Sequence, residues 1–232
     1  MPGDPTTPAT PTAVPPAPDL AMLRKEYGAA GLDESEVDPD PWVQWQRWYD
    51  DATAAGIHEP NAMILATVDP DGMPSSRTVL LKGVASERPD DGFTFFTNTA
   101  SRKGRALANE ALCALLFPWH PLERQVRVEG LAIPLDAAAV HAYWASRPRG
   151  SQLGAWASPQ SRVVSGREEL EQAYRDAEAR FEGQDVPVPP TWGGYRVRPT
   201  TFEFWQGRQG RLHDRVHYGR VSTGWDVTRL AP

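Results

Sequence analysis

Cysteine is almost missing from this chain. Cys113 stands alone in 232 residues, which excludes an internal disulfide framework and fits a reducing, cytoplasmic compartment. Its neighbours from Ala111 to Phe117 are apolar, so the thiol reads as buried packing rather than a nucleophile. No apolar run approaches the roughly 20 residues of a membrane span, so no membrane partner is expected. The N-terminus lacks the basic and apolar regions of a signal peptide. Positive charge is not in excess either. A net charge of −6 and a pI near 5.4 argue against nucleic acid as a partner, which wants a basic surface. There is no Walker loop, no G-x-G-x-x-G after a strand and no G-x-S-x-G elbow. NTPase, Rossmann and serine-hydrolase readings therefore lack support. His213-Asp-Arg-Val-His217 echoes the H-E-x-x-H of zinc proteases, but Asp is a methylene too short for that Glu. The run sits among β-formers, where its two His would lie ~13 Å apart. No metal site is expected, and no internal repeat is visible.

What the chain has is tryptophan, nine in all, useful where flat ligands or a subunit interface must be served. Residues 1–19 are rich in Pro, Thr and Ala and read as a disordered tail; residues 20–232 read as one domain. Ala21 to Tyr27 is a short helical candidate that puts Arg24 and Tyr27 on one side. The turn Asp38-Pro-Asp-Pro41 places Pro41 at a helix start, and Trp42, Trp45, Trp48, Tyr49 and Ala52 recur at helical spacing, a stripe read as core or interface.

The middle reads as β. Ala62–Val68 and Ser75–Lys82 flank the turn Asp69-Pro-Asp-Gly72 as a hairpin. Phe93–Thr97 is a third strand. Ser101 caps a short helix over Arg102–Ala108. Ala111–Phe117 is a strand broken by Pro118, and Arg124–Ile133 is a long one with a bend or bulge at Gly130. Asp136 caps a helix over Ala137–Ser146. Residues 147–165 form a long polar loop, and Arg167–Phe181 is an amphipathic helix. Tyr195–Arg198, Thr201–Gln206, Arg211–Tyr218 and Trp225–Leu230 supply closing strands. Short antiparallel strands with a few helices give an α+β domain on a closed or nearly closed barrel.

Chemistry concentrates in anion-suited clusters: Arg77 with Lys82, Arg102 with Lys103, Arg147 with Ser151, and Arg211 with Arg215. Ser101-Arg-Lys103 opens a predicted helix, where free N–H groups and the dipole favour a phosphate. The run Trp205 to Arg215 sets aromatic planes beside guanidinium forks, which suits a flat, anionic heteroaromatic ligand. Two such clusters imply two phosphorylated small molecules, or one with several phosphates.

These residues carry a resemblance. LRKEY (23–27), RTVLLK (77–82), FFTNTASRK (95–103), LLFPWHPLERQVRVEG (115–130), YWASRPRGSQLGAW (143–156), SPQS (158–161), EFWQG (203–207), RLHDR (211–215) and the terminal RLAP resemble the pyridoxine/pyridoxamine 5′-phosphate oxidase family. The resemblance covers about Leu23 to Pro232 and implies an FMN-binding split β-barrel, antiparallel and Greek-key-like, with flanking helices. It implies a homodimer with FMN at the interface. The reaction implied is oxidation of pyridoxamine or pyridoxine 5′-phosphate to pyridoxal 5′-phosphate by O2, a hydride passing from C4′ to flavin N5. H2O2 is released, with NH3 from the amine.

Carried over by motif, FMN would be held by Arg77, Thr78, Val79, Leu80, Leu81, Lys82, Phe96, Thr97, Arg102, Lys103, Gln125, Gln160, Ser161, Trp205 and Arg215. Arg102 and Lys103 would take its phosphate. Lys82, Tyr143, Arg147 and Ser151 would clamp the substrate phosphate. Arg24 and Tyr27 would close over the substrate, with Arg211 and His213 over its ring as the catalytic pair. Gly150 stands where the family commonly has an acidic residue, and Phe96 where it commonly has Tyr. Split-barrel flavin reductases and non-catalytic binders of flavin or B6 phosphates are the alternatives. The reductase would be expected to lack the substrate set that is present in full, and a binder that only carries a B6 phosphate would need neither oxygen access nor flavin.

Overall fold

The computed structural model describes Tyr27, Gly28 and residues 31–232. The Pro-rich tail, Arg24 and all of the expected first helix but Tyr27 lie outside the described residues.

Pro41–Ala54 forms α1. The Asp40 carboxylate accepts the Trp42 N–H at 2.9 Å, and Pro41 brings a φ already suited to a first helical turn. Helical spacing then puts Trp42, Trp45 and Trp48 on one face, and that face is buried. Trp42 meets Phe202 edge-on at 5.1 Å, Trp45 meets Phe117 at 5.5 Å and Trp48 meets Phe204 at 5.3 Å. The stripe is core: α1 plugs the sheet, and truncating one of these rings costs about 3–5 kcal/mol.

The sheet consists of β1 (Ala62–Val68), β2 (Pro74–Leu80), β3 (Gly83–Ala85), β4 (Gly92–Asn98), β5 (Leu112–Trp119), β6 (Arg124–Pro134), β7 (Trp192–Gln206), β8 (Asp214–Val221) and β9 (Gly224–Arg229). Its order is β2-β1-β5-β6-β7-β4-β3, with β8 and then β9 added beside β7. All pairs are antiparallel. β7 is the hub. It pairs with β6 on one side. On the other, its first half pairs with β4 and its second half with β8. One edge thus serves two strands that diverge, and the sheet curls into a half-barrel. β6 takes a register shift at Glu129/Gly130 where the two halves part, the irregularity expected at Gly130.

α2 (Arg102–Asn109) follows β4 with Ser101 as its cap, and α3 (Ala137–Ser146) follows β6 with Asp136 as its cap. α4 (Arg149–Ala157) and α5 (Arg167–Arg180) complete five flanking helices among the described residues. Trp144, Leu153, Ala177 and Phe181 build a second small core among the last three. No described helix is long and apolar enough to cross a membrane.

The structure departs from the sequence reading in four places. Residues 147–165 are not one loop, because α4 occupies Arg149–Ala157. Its two Gly and polar residues hide a helix that Leu153 and Trp156 stabilise by packing, with the Trp156 indole N–H donating to the Pro187 carbonyl at 2.7 Å. Pro118 does not break β5. It pairs with Gln125 of β6, while the register of β1 on the other side reaches only Leu116, so the missing N–H costs no bond. Tyr195–Arg198 and Thr201–Gln206 are halves of one strand, β7. Arg211–Leu212–His213 precede β8 instead of starting it, since Gly210 (φ 64°) and Arg211 (φ 62°) turn the chain left-handed. β3 carried no sequence signal of its own.

Cys113 is buried, and burial pushes its thiol up to about 12, an inert packing residue as its neighbours indicate.

Candidate active site

α2 begins where β4 ends, and this start gathers the first cluster. The Ser101 hydroxyl accepts the Gly104 N–H at 3.3 Å. Lys103 Nζ donates to Gln160 Oε1 at 2.8 Å and to Thr97 Oγ1 at 3.2 Å. Arg77, reaching from β2, donates to Thr67 Oγ1 at 2.7 Å, Ser75 Oγ at 2.6 Å and the Leu65 carbonyl at 3.1 Å. Among the described residues, Arg77 and Lys103 hydrogen-bond only to neutral groups; burial lowers the Arg77 pKa, and the nearby Asp69 charge opposes that shift. Burial lowers the Lys103 pKa, and the Arg77 charge lowers it further. Two partly desolvated cations repelling one another at a helix start form a cradle that a phosphate monoester fits. Arg102 stands apart from them. The buried Asp69 accepts its Nε at 2.7 Å and raises its pKa. Arg102 reaches any phosphate as a neutralised pair rather than as a free charge.

Gly104 makes this helix start possible. A Cβ there would lie 2.2 Å from the Thr99 carbonyl oxygen. Gly104→Ala is expected to cost about 1–3 kcal/mol or more through that overlap. It should weaken phosphate binding too, because the N–H groups of the first turn must move. A lowered melting midpoint with weaker binding of inorganic phosphate or a phosphate monoester checks this. Wild-type stability would show that the backbone relaxes freely.

The second cluster is the phosphate clamp expected at residues 82, 143, 147 and 151. The Tyr143 ring stacks on Phe96 at 3.8 Å and 10°. Arg147 caps α3, lies over the Trp192 ring at 4.0 Å and donates from Nη2 to the Ser151 carbonyl at 2.9 Å. Its Nη1 is buried without an acceptor, and burial lowers its pKa. No carboxylate pairs with it among the described residues. The structure therefore brings Phe96 to Tyr143 and Arg147 to Ser151 around the end of α3. Lys82 is exposed, and its N–H donates to the Thr94 carbonyl of β4 at 2.8 Å. Thr78, Val79 and Leu80 end β2, paired with β1, and Leu81 follows. Ser161 is exposed, with a left-handed φ of 71°.

The third cluster lies on the outward face of the sheet. Gln125, Trp205 and Arg215 are direct cross-strand neighbours on β6, β7 and β8, so their side chains share a face. Arg215 is held by the buried Glu203, with Nε to Oε1 at 2.9 Å and Nη2 to Oε2 at 3.0 Å. The His213 ring sits 4.6 Å from Trp205 and 5.5 Å from Tyr27. Its Nδ1 accepts the Arg208 N–H at 3.1 Å. Neutral His213 thus carries its proton on Nε2 and presents a donor. Arg211 is exposed. The structure does not bring Arg211 and His213 into contact.

Sequence reasoning missed Asp69 and Glu203, the carboxylates that fix Arg102 and Arg215. Glu203 stands inside the quoted EFWQG block, and Asp69 was read only as a turn residue.

Fold and clusters together define a split β-barrel with two partly buried cations at a helix start and an aromatic, half-buried face on its sheet. A family model described as pyridoxamine 5′-phosphate oxidase matches residues 49–181, and one described as pyridoxine 5′-phosphate oxidase C-terminal dimerisation region matches residues 192–232. The chain belongs to the pyridoxamine 5′-phosphate oxidase family, a family of oxidoreductases. A pyridoxine/pyridoxamine 5′-phosphate oxidase of a Nocardioides species is 63% identical over 92% of this chain and 98% of its own. One from Rubrobacter xylanophilus is 58% identical over 92% and 97%. Among solved structures, PhzG from Burkholderia lata in complex with tetrahydrophenazine-1-carboxylic acid superposes with a TM-score of 0.79 at 31% identity, over 88% of this chain and 99% of that one.

Proposed function

We propose that this chain is an FMN-dependent oxidase that converts pyridoxamine or pyridoxine 5′-phosphate to pyridoxal 5′-phosphate. O2 is reduced to H2O2, and for the amine substrate water hydrolyses the imine, supplying the aldehyde oxygen as NH3 leaves. The observation that carries this is the pair Arg77 and Lys103, two partly buried cations beside the start of α2 that hydrogen-bond only to neutral groups among the described residues. FMN supplies the two-electron acceptor and its reoxidation by O2.

The chain's own residues do the rest. Arg77, Lys103 and the first turn of α2 hold the cofactor phosphate. Gln125, Trp205 and Arg215 offer an amide, a ring and a guanidinium to a flat ring system. Lys82, Tyr143, Arg147 and Ser151 bind the substrate phosphate, spending binding energy at the far end on alignment of the reacting carbon. His213 donates from Nε2 and orients the reacting group, since its Nδ1 is already engaged by Arg208. Arg211 supplies fixed positive charge.

Arg77 on β2 and Trp205 on β7 stand four strands apart in sheet order, roughly 19 Å along the sheet. The ring face is an outward, half-buried surface, with Leu116 and Pro118 beside Gln125 and Arg127. Both facts support a homodimer in which each FMN takes its phosphate cradle from one subunit and part of its ring face from the other.

The test is spectroscopic. Purified protein should be yellow or take up FMN. Pyridoxamine 5′-phosphate under nitrogen should bleach it, and air should restore the colour with formation of H2O2. Failure to take up FMN sinks the reading. A second reading rests on the PhzG neighbour and its polycyclic carboxylate ligand. A flavin that bleaches with such a ring acid and not with the B6 phosphates would favour it.

A further inference from the structure

Glu123, Asp214 and Arg229 are left unused by the chemistry above, yet they meet around one stretch of chain. The Gly28 N–H donates to the Glu123 carboxylate at 2.6 Å, across 95 residues of sequence. The Leu32 N–H donates to Asp214 Oδ2 at 2.9 Å, across 182 residues. Arg229 ties the second contact down. Its Nη1 donates to Asp214 Oδ1 at 2.6 Å and its Nη2 to the Leu32 carbonyl at 2.9 Å. Nη2 also donates to Glu34 Oε2 at 2.6 Å, and Nε pairs with the same carboxylate.

Both anchors stand on walls of the candidate site. Asp214 directly follows His213 and opens β8. Glu123 directly precedes β6, and its carbonyl accepts the Gly207 N–H at 2.7 Å, two residues past Trp205. Tyr27, next to the first anchored amide, stands edge-on to Trp205 at 5.9 Å and to His213 at 5.5 Å. A Cβ on Gly207 would come 3.0 Å from the Tyr27 ring, so glycine leaves room for that approach.

We propose that Glu123, Asp214 and Arg229 are positioning residues. They hold the backbone at Gly28 and Leu32 and thereby set the Tyr27 ring against His213, fixing the orientation of the His213 ring toward substrate. This rests on the reading of Tyr27 and His213 as substrate-facing residues. Carboxylates accepting backbone N–H groups make charge-assisted bonds. The Asp214 charge is balanced by the Arg229 fork and by Arg208, whose Nε lies 3.4 Å from Oδ2, and the Arg229 fork grips three groups at once. A shared network of this kind resists the screening that makes single surface pairs weak.

The test compares FMN-loaded wild type with Arg229→Met and Glu123→Asn. Asparagine tolerates the left-handed φ of 55° at that position but is neutral and a methylene shorter. Hydrogen exchange at the Leu32 amide should speed up about tenfold or more in Arg229→Met, and at the Gly28 amide in Glu123→Asn, while β6 and β7 stay protected. KM for pyridoxamine 5′-phosphate should rise about three- to tenfold in each, with kcat at saturation within about twofold of wild type. Arg229→Lys, which keeps the charge without the fork, should fall between. Unchanged exchange at both amides overturns the proposal, and so does a loss confined to kcat. Exchange needs no turnover. A wild-type chain that fails to oxidise B6 phosphates would sink the proposed function, and the exchange arm would still decide the role of these three residues.

Discussion

Lys103→Met is expected to weaken FMN binding by about 10- to 150-fold, the loss of the roughly 1.5–3 kcal/mol that a hydrogen bond to a charged group carries. Methionine keeps the apolar stem and removes only the ammonium. Titrating FMN into apo-protein, followed by flavin fluorescence, measures the change. Stability should not fall in parallel, because Lys103 has no acidic partner and burial already disfavours its charge. A lysine kept for structure would show the opposite: lower stability and unchanged FMN affinity. That outcome would overturn the assignment. The pH dependence follows with its sign. The folded pKa of Lys103 lies below the ordinary 10.5, so between the two values the unfolded chain binds more protons. Stability of the apo-protein therefore rises with pH across that window. FMN affinity moves the other way, since the phosphate needs the protonated amine. It is full below the depressed pKa and falls as pH rises through it. The Met variant should lack that limb.

Much of the local structure was legible because its physics is short-ranged. Pro41, Ser101, Asp136 and the Asp69–Gly72 turn each act within four residues, and each does in the structure what its type and spacing indicate. α4 was not legible, since its stability comes from Leu153 and Trp156 packing on α5 and on the segment after it rather than from its own sequence. Nor was the continuity of β7 through Pro199, a residue that normally ends a central strand. The register shift of β6 at Glu129/Gly130 lies opposite it, where a ladder bond is already interrupted. In the site, cations could be read one by one, but their neutralisation could not. Asp69 lies 33 residues from Arg102, and Glu203 lies 12 from Arg215 on the next strand. Only the fold separates the cations bonded to a carboxylate, Arg102 and Arg215, from those that among the described residues hydrogen-bond to none, Arg77, Lys103 and Arg147, with Arg77 feeling the Asp69 charge at longer range. It is the second group that can profit from an anionic ligand.

Arg147→Met should raise KM for pyridoxamine 5′-phosphate by about 30-fold or more, the effect of removing one partner from a desolvated charge pair worth at least about 2 kcal/mol. Met can fill the space over Trp192, where the guanidinium now lies at 4.0 Å, so packing between α3 and β7 survives. FMN content should be unchanged, because Arg147 belongs to the second cluster and not to the cradle of Arg77 and Lys103. Saturating substrate should restore kcat to within a few-fold, since the lost interaction is present in ground and transition states alike. The same substrate without its phosphate supplies the control. Wild type should lose most of its preference for the phosphorylated form when Arg147 is removed, whereas turnover of the unphosphorylated ring should barely respond. Arg147 and the phosphate then behave as a coupled pair in a double cycle. If the variant is equally impaired on both rings, the fork acts by holding Trp192 and Ser151 in place, and the substrate phosphate is bound elsewhere.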